Sequence, residues 1–103
     1  MSAANPYRGE AALMIADQEL VLRPSFNALV AAEEELGPLF ALVERAARGD
    51  LRLVELAALF WHCAVARDDL TREKLGEAVL AAGLAACAAP LRLLLRQILR
   101  GIG

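Results

Sequence analysis

Residues 10–23 carry a period-two pattern that recurs nowhere later in the chain. It comes in two short runs, and Ala16, Asp17 and Gln18 separate them as a polar turn. One predicted face carries Ala11, Leu13, Ile15, Leu20 and Leu22, and the other carries Glu10, Ala12, Met14, Val21 and Arg23. Two such runs around a turn predict an antiparallel β-hairpin. Because a two-stranded hairpin is at best marginal in water, the rest of the chain must supply a surface that covers one face of it.

The chain after Pro24 is rich in Ala and Leu, which are strong helix formers, and residues that start or stop helices interrupt it. The first predicted helix is capped by Ser25 and ended by Gly37, and the second is opened by Pro38 and closed by Gly49 and Asp50. The third covers residues 54–66, and the fourth is capped by Thr71 and ended by Gly83. The last runs to Arg100, with Pro90 as its start or a kink. The sequence therefore predicts a mostly α fold: an N-terminal two-stranded antiparallel β-hairpin followed by a compact bundle of four to five short helices. We expect residues 1–8 to be a flexible leader and residues 9–103 to form a single domain.

Helical spacing assigns an apolar stripe to each predicted helix. The stripes are Phe26, Leu29, Val30 and Leu36; Leu39, Leu42, Val43 and Ala46; Leu56, Ala57, Phe60, Cys63 and Ala64; Leu75, Val79 and Leu80; and Leu91, Leu94, Leu95 and Ile98. The longest uncharged run, residues 78–91, is too short to span a bilayer and contains Gly83 and Pro90, so we interpret it as buried helix.

Charge and cysteine content exclude several classes of protein. A net charge of -2 argues against a nucleic-acid partner or a membrane surface, since either usually requires a strongly basic patch. The two cysteines lie in apolar helical sequence, where a free thiol behaves as a small apolar group, and no signal peptide is apparent. These features favour a reduced, cytoplasmic protein.

The segment Trp61, His62 and Cys63 contains the chain's one histidine beside a cysteine. Adjacent helical residues point about 100° apart, which prevents the contact that a nucleophile and its base need. Spacing places His62 on the solvent face and Cys63 in the core. With a single histidine, no residues have the spacing of a metal site. The sequence therefore predicts a protein that is not an enzyme and needs no cofactor.

Three features are candidates for binding a partner protein. Glu33, Glu34 and Glu35 form an acidic run that is either a solvated face or a contact for a basic partner. Arg92, Arg96 and Arg100 recur every fourth residue, which predicts one basic ridge, either solvated or facing an acidic partner. Met14 and Val21 lie on the outer face of the hairpin, whose free edge we expect to be available for pairing with another chain.

The chain contains N-P-Y-R-G-E at residues 5–10, A-L-V-A-A-E-E-E-L-G at 28–37 and V-L-A-A-G-L at 79–84. These segments, and the order of elements from residue 5 to 99, resemble proteins of the gene transfer agent family, phage-derived particles of alphaproteobacteria. The similar member is encoded between the major tail protein and the tape-measure protein, and Pro24 followed by Ser25 is a departure from the pattern we expect of it. The resemblance implies a tail assembly chaperone that binds the tape-measure protein and assists assembly of the tube from the major tail protein. That role requires exposed apolar or edge surface, which would also allow a homo-oligomer. A structural tail tube component, or a general protein-interaction module, is the alternative.

Overall fold

The computed structural model describes residues 10–15, 18–67 and 69–100. Two strands precede five helices: β1 (Ala11–Ile15), β2 (Gln18–Leu22), α1 (Phe26–Leu36), α2 (Leu39–Ala47), α3 (Leu53–Cys63), α4 (Arg72–Ala82) and α5 (Leu84–Arg100). The predicted fold class, a hairpin followed by short helices, is confirmed. The predicted leader, residues 1–8, lies outside the described residues.

The hairpin is antiparallel, with Ala11 opposite Leu22 and Ile15 opposite Gln18. The sequence pattern placed Gln18 in the turn, but in the structure it belongs to β2. The other two predicted turn residues, Ala16 and Asp17, lie outside the described residues. A polar side chain does not prevent a residue from joining the strand ladder, because the pairing uses the main chain.

The chain leaves α3 three residues earlier than predicted and pairs with β2. Ala64 has extended backbone and forms an antiparallel bridge to Leu22. The amide of Arg23 donates to the carbonyl of Cys63 at 2.7 Å, and the amide of Val65 donates to the carbonyl of Val21 at 3.0 Å. The prediction of a helix to residue 66 was wrong because these bonds to β2 replace the last helical ones. They also close the end of the β2 edge that we expected to stay open.

One face of the hairpin lies in the core, as predicted. Leu22 is fully buried, Ala11 and Leu13 are almost so, and α4 and α5 pack against β1. The remaining buried members of this core are Ala32, Leu56, Leu59, Phe60, Cys63, Ala64, Leu75, Val79, Cys87 and Leu94. The helices α1, α3, α4 and α5 thus supply the apolar cover without which the hairpin would not persist.

The predicted helix ends are confirmed at four positions. The hydroxyls of Ser25 and Thr71 accept from main-chain amides three residues later, at 3.2 and 3.1 Å. Gly37 and Gly83 follow α1 and α4 with φ of 91° and 92°, backbone that favours glycine. Pro38 is the N-cap of α2 and not its first helical residue.

Several predicted stripe residues are exposed in the structure. The buried side of α1 centres on Ala32; Val30 lies about 160° and Phe26 about 120° away around the helix, which leaves Phe26 82% exposed. Leu80 is 60% exposed, since Leu75 and Val79 set the buried side of α4. An apolar residue at helical spacing is therefore not always a core residue.

The run at residues 78–91 is not the buried helix that its composition predicted. Gly83 divides it between α4 and α5, and within it only Val79, Cys87 and Pro90 are buried. Pro90 lies inside α5, six residues after the start of that helix, so it does not begin the helix. Among the described residues no single helix is long and apolar enough to cross a membrane; α4 and α5 meet that test only as a pair, across a bend of 115°.

Candidate interaction surface

Three grooves adjoin on the surface of the helices, and neighbouring grooves share lining residues. We call the three together the apolar strip. Leu53 lies in both the first and the second groove, and Ala46, Gly49, Ala88 and Leu91 lie in both the second and the third. The strip therefore continues from α3 and α4, past the start of α5, to the C-terminal half of α5.

The first groove, between α3 and α4, has a volume of 410 Å³, and we call it the acidic groove. Its apolar lining includes the exposed side chains of Leu53, Val54 and Leu80. Its charged residues are Glu35, Arg72, Glu73 and Glu77. Because Glu35 and Arg72 form an ion pair, Glu73 and Glu77 make this end of the strip negative.

The second groove, which we call the middle groove, has a volume of 190 Å³. It is lined by Ala46, Gly49, Leu51, Leu53, Leu56, Leu84, Cys87, Ala88 and Leu91. None of these described residues is charged. The middle groove is therefore an apolar bridge between the two ends.

The third groove, between the end of α2 and α5, has a volume of 660 Å³, and we call it the basic groove. Its apolar lining from α5 includes Leu95 and Leu99. Arg92, Arg96 and Arg100 also line it, so the structure places the three predicted ridge residues on one groove. This end of the strip is positive.

A charged pair joins α2 to α3 beside the middle groove. The guanidinium of Arg45 donates to both carboxylate oxygens of Glu55, at 2.9 and 2.6 Å. The amide of Arg52 donates to the same carboxylate at 3.0 Å. The bond from Arg45, followed by that from Arg52, lowers the pKa of Glu55 to about 2. The sequence does not predict this pair, because ten residues separate its partners along the chain.

The acidic run does not act as one surface. Oε2 of Glu33 accepts from the amide of Leu39 at 3.1 Å and so supplies the side-chain cap that Pro38 cannot provide for α2. Oε1 of Glu35 lies 2.8 Å from Nε2 of His62, and Arg72 donates to its other oxygen. Glu34 is exposed. Two of the three carboxylates thus stabilise the chain's own fold.

His62 is not on the solvent face, where helical spacing placed it. Its side chain is only 8% exposed because Glu35 from α1 and Arg72 from α4 cover it. Arg72, followed by His62, lowers the pKa of Glu35 through hydrogen bonds. The guanidinium carbons of Arg67 and Arg72 lie 4.4 and 4.7 Å from the centre of the Trp61 ring, within the range of cation–π attraction.

The described residues form no arrangement suited to nucleophilic or metal chemistry. Cys63 is buried, as predicted, and burial raises the pKa of its thiol to about 12, so the thiol stays protonated at neutral pH. His62 is occupied by Glu35. Among the described residues no three His, Cys, Asp or Glu side chains lie close enough together to hold a metal ion.

The outer face of the hairpin carries the two remaining predicted binding residues. Met14 is 56% exposed, whereas Val21 is half-buried and its carbonyl already bonds to Val65. The structure does not bring either residue to the apolar strip, whose lining comes from the helices.

Residues 8–101 match the family described as phage tail tube protein, GTA-gp10. The chain belongs to this family. No curated protein and no solved structure matches the chain. The resemblance drawn from the sequence is thereby confirmed, and the apolar strip is a feature of a phage-like, gene transfer agent tail protein.

Membership of the GTA-gp10 family also bears on enzymatic activity. The family is described by a place in the phage tail and not by a reaction. In such a protein, an exposed apolar surface is a candidate for contact with another macromolecule. We therefore take the apolar strip as the candidate functional site.

Proposed function

We propose that this GTA-gp10 family protein is a tail assembly chaperone that binds the tape-measure protein along the apolar strip. The observation that supports the proposal is the exposure of large apolar side chains on one continuous surface. These are Leu53, Val54, Leu80, Leu84 and Leu99. Soluble proteins seldom expose such a surface without a partner to cover it.

The shape of the strip fits a helical client. Amphipathic helices dock by laying their apolar face into a groove between helices of the receiving protein. In this proposal the three grooves of the strip receive that face, and the charged residues at its two ends meet polar residues of the client helix. In this proposal the chaperone acts in the bacterial cytoplasm, keeps the tape-measure protein soluble and brings it to the major tail protein.

Co-expression with the tape-measure protein tests this function. We expect the wild-type chain to raise the soluble fraction of the tape-measure protein, and the double variant Leu80→Ser, Leu84→Ser to lose most of that effect. Both leucines are about 60% exposed, so folding should survive the change. The matched control is Phe26→Ser, Phe40→Ser, which removes two still more exposed apolar side chains outside the strip and should act like the wild type. Equal soluble fractions for the two double variants would refute binding through the strip.

A structural role in the tail tube is the second candidate, because the family is described as a tail tube protein. Mass spectrometry of purified particles separates the two roles. A chaperone should be absent from particles or present in traces. Amounts comparable to those of the major tail protein would establish the structural role instead.

A further inference from the structure

The two ends of the apolar strip carry opposite charge. Glu73 and Glu77 make the acidic groove negative, and Arg92, Arg96 and Arg100 make the basic groove positive. The middle groove between them is apolar. A partner that lies along the whole strip must therefore offer positive charge at one end, apolar side chains in the middle and negative charge at the other.

A second copy of this chain meets that description. If two strips face each other in opposite directions, the acidic groove of each lies against the basic groove of the other, and their apolar centres meet. This is the self-complementarity that a twofold dimer requires, since the same surface must serve on both subunits. Two strips that run in the same direction would instead oppose like charges at both ends, which is unfavourable.

We propose that two copies of the chain associate through the apolar strip as an antiparallel twofold dimer. Glu73 and Glu77 of one copy face Arg96 and Arg100 of the other, and leucines such as Leu80 and Leu84 become covered. A stable interface takes about 800 Å² from each partner, roughly one-eighth of the 6560 Å² surface of the chain. An interface of that size would take in the strip together with the surface that borders it.

The dimer is inferred from the charges and the shape of the strip and does not depend on the identity of a client. It adds regulation to the proposed function, because the same surface cannot hold a second copy and a client helix at once. The dimer would be the form that covers the apolar surface until the client arrives. A failure of the dimer would leave the co-expression experiment and its interpretation unchanged.

Charge reversal tests the interface in the purified chain. We expect sedimentation equilibrium at low salt to show a monomer–dimer equilibrium. The variants Glu73→Lys, Glu77→Lys and Arg96→Glu, Arg100→Glu should each weaken the dimer by about tenfold or more, because each opposes like charges at both ends. The fourfold variant that combines the two reversals should recover most of the wild-type affinity, because it restores opposite charges.

A matched control separates the interface from net charge. Glu34→Lys, Glu44→Lys changes the net charge by the same amount as Glu73→Lys, Glu77→Lys, but at exposed positions outside the strip. This control should dimerise like the wild type. Circular dichroism would verify that each variant is folded. The proposal is overturned by a monomer at all concentrations, by a dimer that the reversals do not weaken or the fourfold variant does not restore, or by growth beyond the dimer, which indicates head-to-tail association.

Discussion

At the scale of single residues, Trp61 and His62 show how three helices meet. Glu35 at the end of α1 and Arg72 at the start of α4 converge on His62 of α3, and Arg72 also covers the Trp61 ring. Side chains from three helices thus form one polar cluster. We therefore assign the cluster to stability and not to catalysis.

Replacement of His62 should accordingly affect folding. His62→Ala removes the 2.8 Å contact with Glu35 and leaves a gap under Arg72. We expect the free energy of unfolding to fall by about 1 kcal/mol, the usual net contribution of one hydrogen bond. Urea unfolding followed by Trp61 fluorescence measures it, with the exposed Glu34→Ala as the control. Equal unfolding midpoints for the two variants would show that His62 contributes nothing.

The ion pair between Glu55 and Arg45 should make the stability of the chain depend on pH. The folded pKa of Glu55 is about 2, below its ordinary value of 4.5, so its contribution is present in full above pH 4.5 and is lost as the pH falls from 4.5 to 2. Glu55→Gln should lower the free energy of unfolding by about 1 kcal/mol at pH 7. It should also reduce the loss of stability between pH 4.5 and pH 2. Thermal melts from pH 7 to pH 2 compare the two chains. If Tm falls by the same amount in the wild type and in Glu55→Gln between pH 4.5 and pH 2, the assignment is contradicted.

At the scale of elements, the hairpin depends on Leu22. This side chain is fully buried, and its strand pairs on one side with β1 and on the other with Ala64. Leu22→Asp places a carboxylate in an apolar core, which should cost more than 4 kcal/mol and unfold the chain. Far-ultraviolet circular dichroism during heating measures this, and Met14→Asp, on the exposed outer face, is the control. A Leu22→Asp chain that melts like the Met14→Asp chain would show that the hairpin is dispensable.

Two glycines of the α4 region should respond to alanine in opposite directions. Gly83 has φ 92° and ψ 146° at the bend into α5, so Gly83→Ala should destabilise the chain by about 1–3 kcal/mol through backbone strain. Gly76 lies inside α4, and a Cβ added there meets nothing within 4 Å. Gly76→Ala should therefore stabilise by about 0.5–1 kcal/mol. Chemical denaturation of both variants checks the signs, and the same sign for both would contradict this account.

The bounds of an element could be predicted where the residues that fix them lie close together along the chain. The caps at Ser25 and Thr71 were predictable because the bonds they make reach only three residues along the chain. The end of α3 was not, because Ala64 leaves the helix to pair with Leu22, more than forty residues earlier in the chain. The covering of His62 by Glu35 and Arg72 was missed for the same reason.

At the scale of the whole molecule, the sequence predicted apolar faces but not which of them would be covered. Helical spacing marked Leu75, Val79 and Leu80 as one stripe, yet Leu80 remains exposed on the acidic groove. The chain has more apolar helix surface than its own core covers. Part of that excess forms the apolar strip, whose continuity depends on how α2, α3, α4 and α5 are arranged in space.

The proposed dimer should make the melting temperature depend on protein concentration. Heat would then separate two chains as well as unfold them. Each tenfold rise in protein concentration therefore adds about 1.4 kcal/mol to the free energy of unfolding of the dimer. For a chain of 103 residues, that corresponds to a rise in Tm of about 3–5 °C at concentrations where the dimer predominates. Arg96→Glu, Arg100→Glu should show a smaller rise in Tm over the same range, because less of it is dimeric at each concentration. Calorimetry of both chains over two decades of concentration measures the difference, and a wild-type Tm that stays constant there would show that the chain folds as a monomer.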